Sequence, residues 1–230
     1  MKTLEELRAR GDAWPPLLEA IASASNDVTV LKRDRARAEE TLVGLQMSRR
    51  TTLGAVALEC GGILIDRGWL RILGSGHPQI AGDIRSWNGL GPNPEPLKFK
   101  PEGCVIVAYD IAGGFFAVNN GAFNDHSPGV YYFAPDTLEW EDTEKSYTDF
   151  LDWALGGDLE QYYSTFRWNG WEQTAEALEG DRALLIYPFL WSEEGRDVEK
   201  ADKNPVPATE LWDMQQDMRS QLRLESGGGQ

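Results

Sequence analysis

The sequence predicts an α+β fold in one domain. Residues 103–145 contain three or four short β-type runs separated by turn residues, and segments with helical spacing of apolar residues stand before and after them. With 230 residues and 41% hydrophobic composition, the chain can bury a core without disulfide or metal staples. We therefore expect a single domain over residues 1–225 and a disordered tail over residues 226–230.

The first hundred residues predict four helices, a short strand and a hairpin. Thr3 with Glu6 forms a capping box, the segment WPPLLEAIASAS has helical spacing, and Asp34 caps a third helix. VTVL is a short strand, and TTLGAVALECGG is a helix that ends at a glycine pair. The strands ILID and WLRILG follow, with Arg67-Gly68 suited to the turn between them. Residues 74–102 are rich in Gly, Pro, Asn and Ser, which predicts a long surface loop.

The central residues predict consecutive strands followed by a helix. CVIVAYD is apolar on both faces, GGFFAVNNG and GVYYFAPD are bounded by turn residues, and TLEWED is an acidic edge strand. Ser146 caps the next helix, whose apolar residues recur at helical spacing and predict a buried face. That face consists of Tyr147, Phe150, Leu151, Ala154 and Leu155.

Residues 157–225 predict further helices and one strand. Asp158 caps the short helix LEQYYSTF, and NGWEQTAEALEG is amphipathic. RALLIYPFLW is an apolar strand, SEEGRDVEKADKNP a charged loop, and PATELWDMQQDMRSQLRLE a last helix.

The formal net charge of −15 is concentrated in the second part of the chain. Residues 1–100 carry 14 Lys and Arg against 12 Asp and Glu, whereas residues 101–230 carry 8 against 25. This distribution argues against nucleic acid as a partner, because binding to phosphates requires a basic surface. A basic protein would complement it, although acidic surfaces also serve solubility alone.

The start of the chain, MKTLEELRARGDAW, is polar, and no apolar run approaches the roughly 20 residues of a membrane-spanning helix. We therefore expect a cytoplasmic protein that has no membrane partner and keeps its thiols reduced. Cys60 and Cys104 lie in no catalytic signature and are predicted to be buried structural thiols. His77 and His126 lie in loops without carboxylates at metal-binding spacing.

The glycine-rich stretches lack the Lys-Ser or Lys-Thr pair of a phosphate-binding loop, so their glycines are assigned to turns. We expect no metal and no cofactor, and binding rather than catalysis.

The candidate site is the acidic cluster of residues 136–160, which holds nine acids and one lysine. A solvated face is one interpretation of such a cluster, and a docking face for a basic protein is another. A third is a carbohydrate-binding or hydrolytic cleft, which would use two carboxylates beside tryptophans. We hypothesise a partner-binding set that consists of Glu139, Trp140, Glu141, Asp142, Asp149, Asp152 and Trp153.

The order of these segments resembles the SUKH superfamily. A strand with a glycine-rich lead precedes a strand near VYYF, then an acidic turn and a helix that begins with Ser, an aromatic residue and later Phe-Leu. The resemblance covers about residues 14–156, and the chain is also similar to uncharacterised bacterial proteins of that type with WLRILGSGHP and YYFAPDTLEWE. The matching residues are Gly113, Gly114, Phe115, Tyr131, Ser146, Phe150 and Leu151.

The resemblance implies a mostly antiparallel sheet with helices packed on one side, and residues 157–225 then form a C-terminal strand and helix extension. Many SUKH members are immunity proteins that neutralise polymorphic bacterial toxins, and others are regulatory interaction modules. The expected partner is therefore a protein, with a basic toxin domain as the specific case. The oligomeric state stays open.

Overall fold

A seven-stranded antiparallel sheet forms the centre of the computed structural model, which describes residues 1–9, 11–90, 97–123 and 129–227, with side chains up to residue 222. The strands follow one another in sequence order across the sheet, so each pairs with its neighbour along the chain. They are β1 (Val28–Leu31), β2 (Gly62–Ile65), β3 (Leu70–Leu73), β4 (Cys104–Asp110), β5 (Phe115–Asn119), β6 (Val130–Ala134) and β7 (Glu139–Lys145). A separate hairpin pairs β8 (Arg182–Tyr187) with β9 (Asp202–Pro207).

The helices of the described residues begin mostly at side-chain caps. Thr3, Asp83 and Ser146 each form a reciprocal capping box with the residue three positions later. The helices are α1 (Leu4–Arg8), α2 (Trp14–Ala22), α3 (Arg35–Leu45), α4 (Thr52–Glu59), α5 (Ile84–Asn88), α6 (Tyr147–Gly156), α7 (Leu159–Tyr162), α8 (Trp171–Ala177) and α9 (Ala208–Gly227). The last helix ends at Gly227, so it includes two residues of the predicted disordered tail, and residues 228–230 lie outside the described part of the chain.

Successive side chains of a strand point to opposite faces, which gives the sheet two different surfaces. On one surface Phe116 of β5 lies opposite Tyr132 of β6, which lies opposite Glu141 of β7. On the other, Phe115, Phe133 and Trp140 are aligned in the same way. The first set contacts α6 and the second contacts α9. We call the two surfaces the α6 face and the α9 face.

The α+β class, the antiparallel sheet and the C-terminal strand and helix extension are confirmed. The helices, however, cover both faces of the sheet instead of one. Trp212 of α9 packs against Phe115 with 4.9 Å between ring centroids, on the side opposite α6. The extension supplies this second layer, because an apolar sheet face must be covered by another element.

Residues 74–102 are not simply a surface loop. Within the described part of this segment, α5 packs on the α9 face, and its Trp87 is buried against Tyr109 of β4 at 5.7 Å. Asn88 is also buried and bonds to both the N–H and the carbonyl oxygen of Ile106. The high glycine and proline content of the segment predicts a loop, but the segment contains a short helix that belongs to the core.

Buried polar contacts hold the extension against the sheet. The N–H of Leu184 in β8 donates to the carbonyl of Ile111 at 2.7 Å. The buried Arg71 of β3 donates to the carbonyl oxygens of Gly180 and Glu179 just after α8. The end of the predicted charged loop before α9 forms the first part of β9, whose Lys, Asn and Pro residues are poor strand formers and give no strand signal.

Both cysteines are free and buried, as predicted for structural thiols. Burial raises the pKa of Cys60 to about 12 and that of Cys104 to about 11, so neither is a thiolate at neutral pH. Among the described residues, no helix has the length and apolarity to cross a membrane. Those residues also contain no group of three or more His, Cys, Asp or Glu placed to hold a metal ion. His126 lies outside the described residues.

Candidate functional site: an aromatic cup with an acidic rim

The structure separates the seven predicted site residues into three locations. Glu139 and Trp140 both contact α9, since Arg219 of that helix donates to Glu139 at 2.9 Å and Trp140 packs against Trp212 at 6.3 Å. Trp140 is therefore largely occupied by packing within the chain. Its strand neighbour Glu141 points to the opposite side of the sheet.

Asp149 and Asp152 are exposed on the solvent side of α6. Asp149 is the third residue of the helix and closes its capping box by accepting from the backbone N–H of Ser146 at 3.3 Å. It therefore has a role in folding whatever its role in binding. Asp152 lies one turn further along the same helix.

Glu141, Asp142 and Trp153 come together around one cavity of about 170 Å³ on the α6 face. Five aromatic rings line it, from two strands of the sheet and from α6 and α7, and we call them the aromatic cup. They are Phe116, Tyr132, Phe150, Trp153 and Tyr162.

The rings of the aromatic cup form a closed circuit of contacts. Their centroids are separated by 4.6 Å between Phe116 and Tyr132, and by 5.9 Å between Tyr132 and Tyr162. Tyr162 lies 4.7 Å from Trp153, which lies 5.9 Å from Phe150. Phe150 closes the circuit with Phe116 at 4.8 Å. These separations fall in the usual range for interacting aromatic pairs, so the rings support one another.

The cup has a buried floor and accessible walls. Phe116 and Phe150 are fully buried and Tyr132 nearly so, whereas Trp153 is partly buried and Tyr162 is 38% exposed. The walls are therefore the parts that a ligand can touch. Sequence spacing predicts only one of them, by taking Trp153 away from the main apolar side of α6.

A buried carboxylate fixes the floor. Asp110, at the end of β4, accepts a hydrogen bond from the Tyr132 hydroxyl at 2.8 Å and from the backbone N–H groups of Ala112 and Gly114. Burial raises the pKa of Asp110 to about 6, although these three donors oppose the shift. Burial also raises the pKa of Tyr132, so its hydroxyl keeps the proton that it donates.

Gly114 leaves the space that this arrangement needs. A Cβ atom there would lie 2.2 Å from both the Asp110 Oδ2 atom and the Tyr132 hydroxyl. We expect Gly114→Ala to lower the free energy of unfolding by about 1–3 kcal/mol, the usual cost of overpacking a core. Urea unfolding of the variant and the parent chain measures this difference in free energy.

Gly156→Ala is the matched control for this substitution, because a Cβ atom there would meet only the Ser25 hydroxyl at 3.9 Å. Alanine is favoured over glycine in a helix, so this variant should be as stable as the parent chain or slightly more stable. Equal stability of Gly114→Ala and the parent chain would contradict the close packing around Asp110.

The rim of the cup carries two acids and one base. Glu141 and Asp142 are exposed, and Thr143 and Lys145 complete the rim. Asp142 is among the residues that line the cavity, just before the point where the pairing of β7 with β6 shifts between Val130 and Tyr131. The Lys145 ammonium donates to the carbonyl of Thr143 at 3.2 Å. Two carboxylates against one ammonium leave the rim negative, beside aromatic surfaces that also attract cations.

Four of the five cup residues are missing from the predicted site. Alternation along the strands could have shown that Trp140 and Glu141 point to opposite faces. It could not have shown that Phe116 and Tyr132 lie beneath Glu141, because the register of β5, β6 and β7 had to be known first. Tyr162 reaches the cup only through the turn after α6.

Comparison with known proteins places the chain in one family. The model of the family described as "Protein of unknown function DUF2625" matches residues 4–211. The chain is 39% identical to the protein YbfG of Escherichia coli (strain K12) over 222 residues, which are 95% of this chain and 98% of that protein. It is 34% identical over 210 residues to an uncharacterized protein of Haemophilus influenzae (strain Rd), with 90% of each chain covered.

No solved structure matches the chain significantly. None of these matches names the SUKH superfamily, so that resemblance stays a prediction. The family model and the relatives agree over nearly the full length, and the aromatic cup lies inside the matched residues. The chain belongs to the DUF2625 family.

Proposed function

We propose that this chain is a non-enzymatic protein-binding module that engages a basic partner through the acidic surface of β7 and α6. The observation that carries the proposal is the position of Glu141 and Asp142 on the rim of a concave aromatic cavity. Exposed acids beside exposed aromatic surface are suited to a cationic partner. Asp149 and Asp152 extend the negative surface along α6.

The specific form of this proposal is an immunity protein that neutralises a polymorphic toxin. It is supported by the SUKH-like order of segments over residues 14–156 and by the acidic surface, which would cover a basic toxin domain. The other predicted residues have different parts in it. Glu139 and Trp140 stabilise the contact with α9, whereas Glu141, Asp142, Asp149, Asp152 and Trp153 remain available to a partner.

To test the proposal, the products of the genes adjacent to the gene for this chain are co-expressed with it, and the affinity of any complex is measured at increasing salt. We expect the affinity to fall with salt, and Glu141→Lys combined with Asp152→Lys to weaken binding by at least about tenfold, because like charges then meet across the interface.

The matched control is Glu5→Lys combined with Glu194→Lys, which changes the net charge equally at exposed acids of α1 and of the loop after β8. It should alter binding only slightly. Binding that withstands the reversal at Glu141 and Asp152 would rule out this surface as the binding face.

A carbohydrate-binding or hydrolytic protein is the second candidate function. Glu141, Asp142 and Trp153 line one cavity, which favours it. The cavity of about 170 Å³ is small beside the roughly 300–1,000 Å³ of typical small-molecule sites, which favours a single side chain as occupant. Binding of oligosaccharides in a glycan screen, lost on Trp153→Leu, would favour the second function over the first.

A further inference from the structure

We propose that the aromatic cup receives one arginine side chain of the partner protein. The inference rests on the proposed function and names the chemical group that the acidic surface recognises. It follows from the size, the wall chemistry and the rim charge of the cavity.

The size of the cavity suits a group as large as a guanidinium. A cavity of about 150 Å³ holds a benzene molecule, and the aromatic cup encloses about 170 Å³. A methylguanidinium group is somewhat smaller than benzene. The cup is therefore large enough for the end of an arginine side chain and too small for a peptide segment or an oligosaccharide.

The walls suit a planar cation. Trp153 and Tyr162 are the accessible rings, their centroids are 4.7 Å apart and their planes are inclined by 70°. A guanidinium can stack on one of these rings while its edge meets the other, an arrangement that a compact ammonium cannot copy. The Tyr132 hydroxyl already donates its hydrogen bond to Asp110. The floor of the cup therefore presents an aromatic surface to the cation, without a hydroxyl donor that would compete with it.

The rim supplies acceptors for the donors of a guanidinium. Glu141 accepts from the Thr137 hydroxyl at 3.3 Å, and Asp142 accepts from the Glu144 N–H at 2.8 Å. The Glu141 carboxylate has two oxygens with further lone pairs, so it can accept from a guanidinium as well, and Asp142 adds negative charge at the same rim. Lys145 is the cation of the chain itself at this rim, and it should compete weakly with the incoming arginine.

The experiment uses methylguanidinium as the probe and N-methylurea as its neutral counterpart. Each is titrated into the full chain labelled with nitrogen-15, at constant ionic strength, while the indole N–H signal of Trp153 is followed. Trp153→Phe assigns that signal by its loss. We expect methylguanidinium to shift the signal saturably and N-methylurea to leave it in place, with methylammonium binding more weakly than methylguanidinium.

Three variants that keep the fold test the site itself. Glu141→Gln should weaken methylguanidinium binding by about threefold or more, because it removes a rim charge. Glu194→Gln removes an equal charge at an exposed acid of the loop after β8 and should change binding by less than about 1.5-fold. Lys145→Gln should strengthen binding by about twofold, since it removes the competing ammonium.

Equal binding of methylguanidinium and N-methylurea would overturn the inference, as would equal effects of Glu141→Gln and Glu194→Gln. The outcome is separable from that of the proposed function. If charge reversal weakens a complex with a partner protein but methylguanidinium does not bind to the chain, the arginine site in the cup is rejected and the acidic binding surface is retained. If methylguanidinium binds to the cup but no basic partner protein binds to the chain, the guanidinium site is retained and the proposed function is rejected.

Discussion

Replacing Arg167 by methionine is expected to lower the free energy of unfolding by about 3–5 kcal/mol, the usual cost of breaking a buried ion pair from one side. The Arg167 side chain is only 4% exposed, and it pairs with Asp66 in the β2–β3 turn and with Glu160 of α7. Its guanidinium carbon lies 3.7 Å from the centroid of the Trp171 ring. Methionine fills much of the volume but leaves Asp66 without its cation.

The control for Arg167→Met is Arg67→Met, which breaks an ion pair with Glu176 between two half-exposed side chains. Exposed pairs contribute about 0–1 kcal/mol, so the two variants should differ clearly in urea unfolding. Arg167 holds the segment that follows α7, and α7 carries Tyr162 of the aromatic cup. A stability loss no larger than that of the control would show that Arg167 does not anchor this segment.

The stability of the chain is expected to fall by about 2 kcal/mol between pH 4 and pH 6 through Asp110 alone. Burial raises the pKa of this carboxyl to about 6 in the folded chain, whereas an unfolded aspartate titrates near 3.9. The folded chain therefore binds the proton more tightly. The contribution is fully present below the unfolded pKa, is lost as the pH rises through the folded pKa, and is constant above it.

Asp110→Asn isolates this effect from the other acids of the chain. Asparagine keeps a carbonyl oxygen for the N–H groups of Ala112 and Gly114 and stays neutral at every pH. The difference in unfolding free energy between the parent chain and Asp110→Asn should change by about 2 kcal/mol from pH 4 to pH 7. The exposed Asp152→Asn is the control and should show little change. A constant difference for Asp110→Asn would contradict the raised pKa.

Local sequence signals predicted most of the elements. The caps at Thr3, Asp34, Ser146 and Asp158 mark helix starts in the structure, because the cap and the backbone groups it satisfies are within three residues. Apolar runs between turn residues likewise predict the strands β2 to β6. The sequence-based prediction is wrong where packing against distant residues outweighs local composition. Trp87 makes α5 part of the core although the segment is rich in glycine, and the polar β9 is a strand because it pairs with β8.

The candidate site was predicted only in part, for a reason of geometry. Neighbouring residues of a strand point to opposite sides, so Trp140 and Glu141 cannot share a surface although both belong to the acidic cluster. Glu139 instead meets Arg219, which is 80 residues away in sequence. A cluster of charges along a sequence does not reveal which of its members a helix from the far end of the chain will cover.

The sequence alone determined the α+β class, the succession of strands, the capped start of α6 and its apolar side, and the excess of acid after residue 100. These properties depend on local spacing, on caps within one turn and on composition, all of which can be read without knowing the partners in space. Only the tertiary structure decided that Trp153 faces Tyr162 over a floor of Phe116 and Tyr132, and that Asp110 is buried beneath it. The aromatic cup exists because strand register and the turn after α6 bring together side chains that are up to 46 residues apart.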